Sequence, residues 1–204
     1  MRPLTLLLAA VLCGGLQAQT VHFNGWGGYT FRDRFPIYTT LVPLDATIQD
    51  AFSFGGGVEY RPVINTGMEL YYFGMPTVGQ VRGALGARYS ESLMVSYIMA
   101  GGLRYTSLGG AARGYGGLSL GIALFDGETV YRSYAAWGLR GGVLIQANER
   151  LGLKLGAQLH SPIQAVGGGL YVGTGGVGGG IETYSTIYQF GFTGGLCFTL
   201  NGGQ

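Results

Sequence analysis

Charge is scarce in this chain, cysteine scarcer still, and long hydrophobic runs are missing beyond its first residues. Twelve Lys and Arg and ten Asp and Glu make up 11% of the 204 residues, against roughly a quarter in ordinary soluble domains. So little charge would leave a soluble protein poorly dispersed. Nothing in the near-neutral balance suggests a nucleic-acid-binding surface. Only two cysteines occur, Cys13 and Cys197. If the N-terminal segment is removed, Cys197 stands alone and no internal disulfide can form. Past that segment no apolar run approaches the ~20 residues of a membrane-spanning helix.

The chain is nevertheless apolar in bulk. Hydrophobic residues reach 47%, aromatics 13%, and 41 residues are glycine. Arg, Glu, Gln and Gly interrupt the apolar residues everywhere, a composition suited to strands with one face in lipid. The N-terminus has the three parts of a secretory signal: Met1-Arg2, the apolar stretch Leu4 to Leu12, and Leu16-Gln17-Ala18 before the expected cleavage. Residues 1–18 are read as a cleaved signal peptide and 19–204 as one domain. A lipoprotein signal ending at Cys13 would need a small residue before the cysteine, and Leu12 stands there.

Period-two alternation is the main structural signal. Phe52, Phe54, Gly56, Val58 and Tyr60 alternate with Ser53, Gly55, Gly57 and Glu59; Leu151, Leu153, Leu155, Ala157 and Leu159 alternate with Gly152, Lys154, Gly156, Gln158 and His160. Tyr188 to Leu200 repeats the pattern. Eight such segments are expected: Val21–Arg32, Ala51–Pro62, Thr66–Met75, Ser92–Thr106, Arg113–Phe125, Ser133–Ala147, Leu151–Ser161 and Thr186–Leu200. Each meets the ~9–11 residues of a tilted membrane strand. The connections alternate in length. Val63–Asn65, Ser107–Ala112 and Asn148–Arg150 are short, whereas Asp33–Asp50, Pro76–Glu91, Gly127–Arg132 and Pro162–Ser185 are longer. Short periplasmic turns and longer extracellular loops follow this rule, with an even strand number placing both termini in the periplasm.

These features predict an all-β chain, a closed eight-stranded antiparallel up-and-down barrel. An open sheet edge in lipid would leave backbone groups unpaired, and closure removes it. Gly55, Gly57, Gly102, Gly138, Gly142, Gly152, Gly156, Gly191 and Gly195 are expected to face a lumen too narrow for many large side chains. The layout resembles the small eight-stranded outer-membrane proteins of the OmpA/OmpX transmembrane type. That resemblance covers the chain after residue 18 and implies a Gram-negative outer membrane. Such proteins commonly end on an aromatic residue, whereas Phe198-Thr199-Leu200 is followed here by Asn201-Gly202-Gly203-Gln204.

Alternation directs Glu59, Glu69, Arg104, Arg140 and Lys154 inward, with Arg61 close by. Glu59 and Glu69 are equidistant from Ile64, so they should oppose one another on neighbouring strands and repel, with the cations neutralising them. A charge-paired plug follows. Chemistry is hard to find elsewhere. His22, His160 and Cys197 have no recognised metal-ligand spacing, and no cofactor is expected. His160, Ser161 and Glu182 are the residue types of a lipid-modifying hydrolase, but neighbouring strand residues point to opposite faces. Gly173 to Gly178 matches the glycine fingerprint of dinucleotide sites, without the strand-helix context that gives it meaning. Asp33–Asp50, with Phe35, Pro36, Ile37, Tyr38, Leu41, Val42, Pro43 and Leu44, is either a partner-contact surface or a hairpin continuing the strands.

The expected function is therefore non-enzymatic, structural or surface-binding through extracellular loops, among outer-membrane lipid and lipopolysaccharide. A lipid A or phospholipid-modifying enzyme and a narrow pore are the alternatives.

Overall fold

The computed structural model describes residues 20–38, 43–82, 88–128, 131–163, 169–173, 176–180 and 187–201. The strands are β1 (Thr20–Thr30), β2 (Asp33–Tyr38), β3 (Pro43–Ile48), β4 (Ala51–Val63), β5 (Thr66–Arg82), β6 (Arg88–Gly109), β7 (Ala112–Gly127), β8 (Tyr131–Gln146), β9 (Leu151–Ile163), β10 (Gly169–Gly173), β11 (Gly176–Gly180) and β12 (Gln189–Asn201). Eight of them close a barrel in the order β1-β4-β5-β6-β7-β8-β9-β12, with every neighbour antiparallel. Closure comes from β1, which pairs with β12 along one side and β4 along the other.

At one end the connections are tight. Val63 pairs with Thr66 across a two-residue turn. Between β8 and β9, the Asn148 side-chain oxygen accepts from the backbone N–H groups of Arg150 and Leu151, at 2.9 and 2.8 Å. The β6–β7 turn uses Gly109 and Gly110 at positive φ, where a side chain would be strained. At the opposite, hairpin end the strands run on. β5 has 17 residues and β6 has 22, well beyond a membrane crossing. The expected loop Pro76–Glu91 is thus largely strand. Within the expected loop Asp33–Asp50, β2 and β3 pair from Asp33/Ile48 to Tyr38/Pro43, and β3 pairs with the upper part of β5 from Asp45/Arg82 to Ile48/Gly79. Leu41 and Val42 of the expected contact surface lie outside the described residues. Gly173 and Gly176 close a separate two-stranded hairpin, β10–β11, and no helix follows among the described residues.

The barrel is inverted relative to a soluble fold. Outward side chains are exposed and apolar on each wall strand: Phe23, Phe52, Leu70, Ile98, Leu120, Leu139, Leu155 and Phe192. Soluble monomers rarely expose continuous apolar area of this extent. Inside, the hairpin half holds a core of Tyr71, Phe73, Met75, Val95, Tyr97 and Met99, and the turn half holds charged and polar groups.

Candidate functional site in the barrel lumen

Two carboxylates organise the turn half. Glu59 and Glu69 are register partners on β4 and β5, both buried. Arg61, two residues along the same face of β4, donates from Nε to Glu59 Oε1 at 2.6 Å and from Nη2 to the Tyr105 hydroxyl at 2.8 Å. Tyr105 donates to the same Oε1 at 2.6 Å. Lys154 on β9 reaches Glu59 Oε2 at 3.3 Å and Glu69 Oε1 at 4.0 Å. Arg140 on β8 donates to Glu69 Oε2 at 2.9 Å, and Asn24 Nδ2 on β1 lies 3.3 and 3.4 Å from the two carboxylates.

The cations are also packed on rings. Arg61 lies 4.1 Å over Tyr105, Lys154 lies 4.8 Å over Tyr115, and Arg140 sits between Trp26 and Tyr71 at 4.3 and 4.5 Å. Burying an ion is costly unless its partners are close and its hydrogen bonds are made. Here three cations face two carboxylates, and ring faces share the remaining positive charge. Five of the six charged residues expected in the lumen therefore meet in one network. They span β4, β5, β8 and β9, so the network crosses the barrel.

Arg104 does not join them. Its side chain is exposed on the outer wall and donates to Thr66 Oγ1 at 3.1 Å. The inward residues of β6 are Tyr97, Met99, Gly101, Leu103 and Tyr105, so Gly102 also faces outward. Reading polar residues as inward assigns this strand the wrong phase, because the lumen wall is aromatic along β6. The error also conceals Tyr105, a direct ligand of Glu59. Asn24 and Trp26 are further members missing from the sequence expectation. Both lie in alternation with His22 and Thr30, a signal already legible in β1.

The histidines are separate. His22 Nδ1 lies 2.9 Å from Thr199 Oγ1 and 3.7 Å from Cys197 Sγ, a proximity that spacing along the chain conceals and barrel closure creates. Among the described residues no group of three His, Cys, Asp or Glu could hold a metal. His160 is fully buried in the hairpin half, stacked on Tyr97 at 4.8 Å, with Nε2 bonded to the Tyr71 hydroxyl at 3.0 Å. Tyr71 in turn shares a 2.8 Å hydrogen bond with Ser119. Among the described residues no carboxylate bonds His160. Glu182 lies outside the described residues. Ser161, buried, occupies the opposite parity of β9.

A groove of about 660 Å³ opens at the hairpin end between β4, β5, β6 and β7, lined by Asp50, Pro76, Leu93, Met94, Asp126 and Glu128 among others.

Neither a family model nor a curated protein matches the chain. Solved structures do. OprG from Pseudomonas aeruginosa, an outer membrane protein, superposes with a TM-score of 0.61 at 14% identity, covering 89% of this chain and 95% of that one. Neisserial surface protein A gives 0.53 at 13% identity, over 88% and 96%. The outer membrane protein AlkL, solved in lipid bilayers, gives 0.52 at 12% identity, over 92% and 93%.

The chain has the fold of the small eight-stranded outer-membrane barrels. At these identities the likeness is one of architecture: strand number, closure and near-complete coverage of both chains. The lumen network of this barrel stands on its own residues.

Proposed function

We propose that the chain is a non-enzymatic outer-membrane barrel of a Gram-negative bacterium, which acts through the hairpins at one end while its ion-pair network plugs the lumen. The observation that carries this reading is the inversion of the wall. Phe52 is 78% exposed and Leu120 61% exposed, while Glu59 is fully buried. A hydrocarbon surround favours apolar side chains on the outer wall, and a closed barrel leaves no backbone edge unpaired there.

Residues 1–18 are then the cleaved export signal, and the tight turns and both termini lie in the periplasm. The hairpin end, with β2–β3 and the upper β5 and β6, is extracellular. There it meets lipopolysaccharide and any surface ligand. The groove beside Asp50 and Asp126 is part of that exposed surface.

Fractionation tests the location: the folded protein should appear in the outer membrane and migrate faster on cold SDS gels than after boiling. Recovery in the soluble periplasm would refute it. Mass spectrometry of lipopolysaccharide and phospholipid incubated with the purified barrel should show no altered lipid. Altered lipid would favour an enzyme.

A further inference from the structure

Above the ion-pair network, the lumen contains a patch of a different kind. Eight buried side-chain atoms there have no hydrogen-bond partner: Thr30 Oγ1, Ser53 Oγ, the Tyr97 hydroxyl, Nε2 and Oε1 of Gln158, His160 Nδ1, and Nε2 and Oε1 of Gln189. Each of the six residues is at most 4% exposed. Protein interiors leave roughly a few polar groups per hundred residues unpaired, and scattered defects would not share one region.

The strand register brings these together. Gln189 on β12 is the partner of His160 on β9. Two residues along, Gly191 pairs with Gln158 on one side and Thr30 on the other. Thr30 and Gln158 thus flank a residue with no side chain. Ser53 on β4 pairs with Gly28, two residues from Thr30 on the same inner face. Tyr97 arrives from the opposite wall, its ring stacked on His160. Four adjacent strands supply neutral donors and acceptors, and Phe73 and Tyr97 of β5 and β6 supply an aromatic wall facing them.

We propose that this patch is a binding site for small, uncharged molecules that both donate and accept hydrogen bonds: a cluster of ordered water, or a solute of amide or polyol size. Two glutamine amides offer both donors and acceptors, and hydroxyl groups adapt to either role. No charged side chain belongs to the patch. The nearest cation, Arg140, is the register partner of Gln158 and is already held by Glu69, Trp26 and Tyr71. Asp33 and Arg140 act on Tyr97 and His160 only from the edges of the patch, so the groups that would bond a guest are all neutral and favour an uncharged one. The guest must be small, because Phe73, Met75 and Val95 fill the adjoining lumen. Buried water makes about three hydrogen bonds per molecule, so about three waters would satisfy the eight atoms.

The test uses the whole refolded barrel in detergent micelles. Side-chain amide resonances of Gln158 and Gln189 are assigned through Gln158→Met and Gln189→Met, then examined for long-lived cross-relaxation with water and for shifts on adding urea or glycerol. Cross-peaks at the water frequency identify water as the occupant; saturable shifts identify the solute class. The double variant should lose both signals and unfold at a lower temperature. Absence of both water cross-peaks and solute shifts would overturn the proposal. So would a raised unfolding midpoint in the double variant, the expected effect of removing amides that had no partner.

Discussion

Glu59 and Glu69 face one another across the β4–β5 pair, and Lys154 crosses the lumen from β9 to lie 3.3 Å from the first and 4.0 Å from the second. Two buried carboxylates in register would drive these strands apart. Lys154 is the cation that touches both, whereas Arg61 serves Glu59 and Arg140 serves Glu69. The repulsion between two neighbouring strands is thereby turned into a tie across the barrel.

Lys154→Met should consequently destabilise the barrel by about 3–5 kcal/mol, the usual effect of stranding a buried charge. Arg104→Ala, on the exposed outer wall, should change stability by roughly 0–1 kcal/mol. Urea unfolding in lipid vesicles, followed by tryptophan emission, compares the two. Equal midpoints would show that the carboxylates do not need a central cation.

The outer wall makes a separate demand. Leu120, outward near the middle of β7, should reject arginine at a cost of about 2–4 kcal/mol in the same assay. Leu108, equally exposed but beside the β6–β7 turn, should accept it at about 0–1 kcal/mol, because charged residues grow cheaper towards the membrane surface. Similar penalties at both positions would contradict a depth-dependent apolar surround.

Much of this fold is legible in the chain. The alternations in β4, β9 and β12 assign their faces correctly, since on those strands the outward residues are Phe, Leu and Tyr and the inward ones are Gly, Glu, Lys and Gln. The rule fails on β6 because its inward side carries Tyr97, Met99, Leu103 and Tyr105, as apolar as its outward side. Hydrophobicity then cannot set the phase, and within the expected segment Ser92–Thr106 Arg104 is the only charge that could guide it. Long-range neighbours are harder. His22 and Cys197 are 175 residues apart and meet through closure of β1 on β12. The upper strands read as loops because, above the apolar belt, alternation has no lipid-facing side to mark.

Glycines divide by what stands beside them. A Cβ on Gly142 would run into the Leu155 carbonyl and the Gly156 backbone, whereas one on Gly25 would meet nothing within 4 Å. Gly142→Ala should therefore lower the yield of heat-modifiable barrel on refolding, because the obstructing atoms are backbone of the neighbouring strand. Gly25→Ala should refold like the wild type. Cold-gel mobility reads both directly, and an unaffected Gly142 variant would mean that β8 and β9 can separate without loss of closure.

At the hairpin end, the Tyr29 hydroxyl donates to Asp50, and Arg32 lies 3.3 Å from the same carboxylate. The Tyr29 hydrogen bond, with a smaller contribution from Arg32, holds the Asp50 carboxyl below its ordinary range. A carboxyl with a lowered folded-state pKa stabilises the fold above its unfolded value and loses that contribution as pH falls through the folded one. Titration of the Asp50 carboxyl carbon by NMR should give a midpoint below that of an ordinary aspartate. Tyr29→Phe should move it upward. No change on that substitution would mean that the hydroxyl does not set the titration.

Arg140 bears on conduction. Its guanidinium lies between the Trp26 and Tyr71 rings, at 4.3 and 4.5 Å, and donates to Glu69 at 2.9 Å. An ion passing this level would have to displace a side chain held by two ring faces and a carboxylate, in a barrel whose interior its own residues fill. Planar-bilayer recordings of the wild type should show no large steady conductance. Single removal of Arg140 leaves Trp26 in the lumen, so Arg140→Ala alone should give at most brief openings. Arg140→Ala combined with Trp26→Ala clears both groups and should give frequent ones, provided that cold-gel mobility shows the variant still closed. Large stable channels in the wild type would mean that the network braces the barrel without blocking it, and the narrow-pore function would then be the better account.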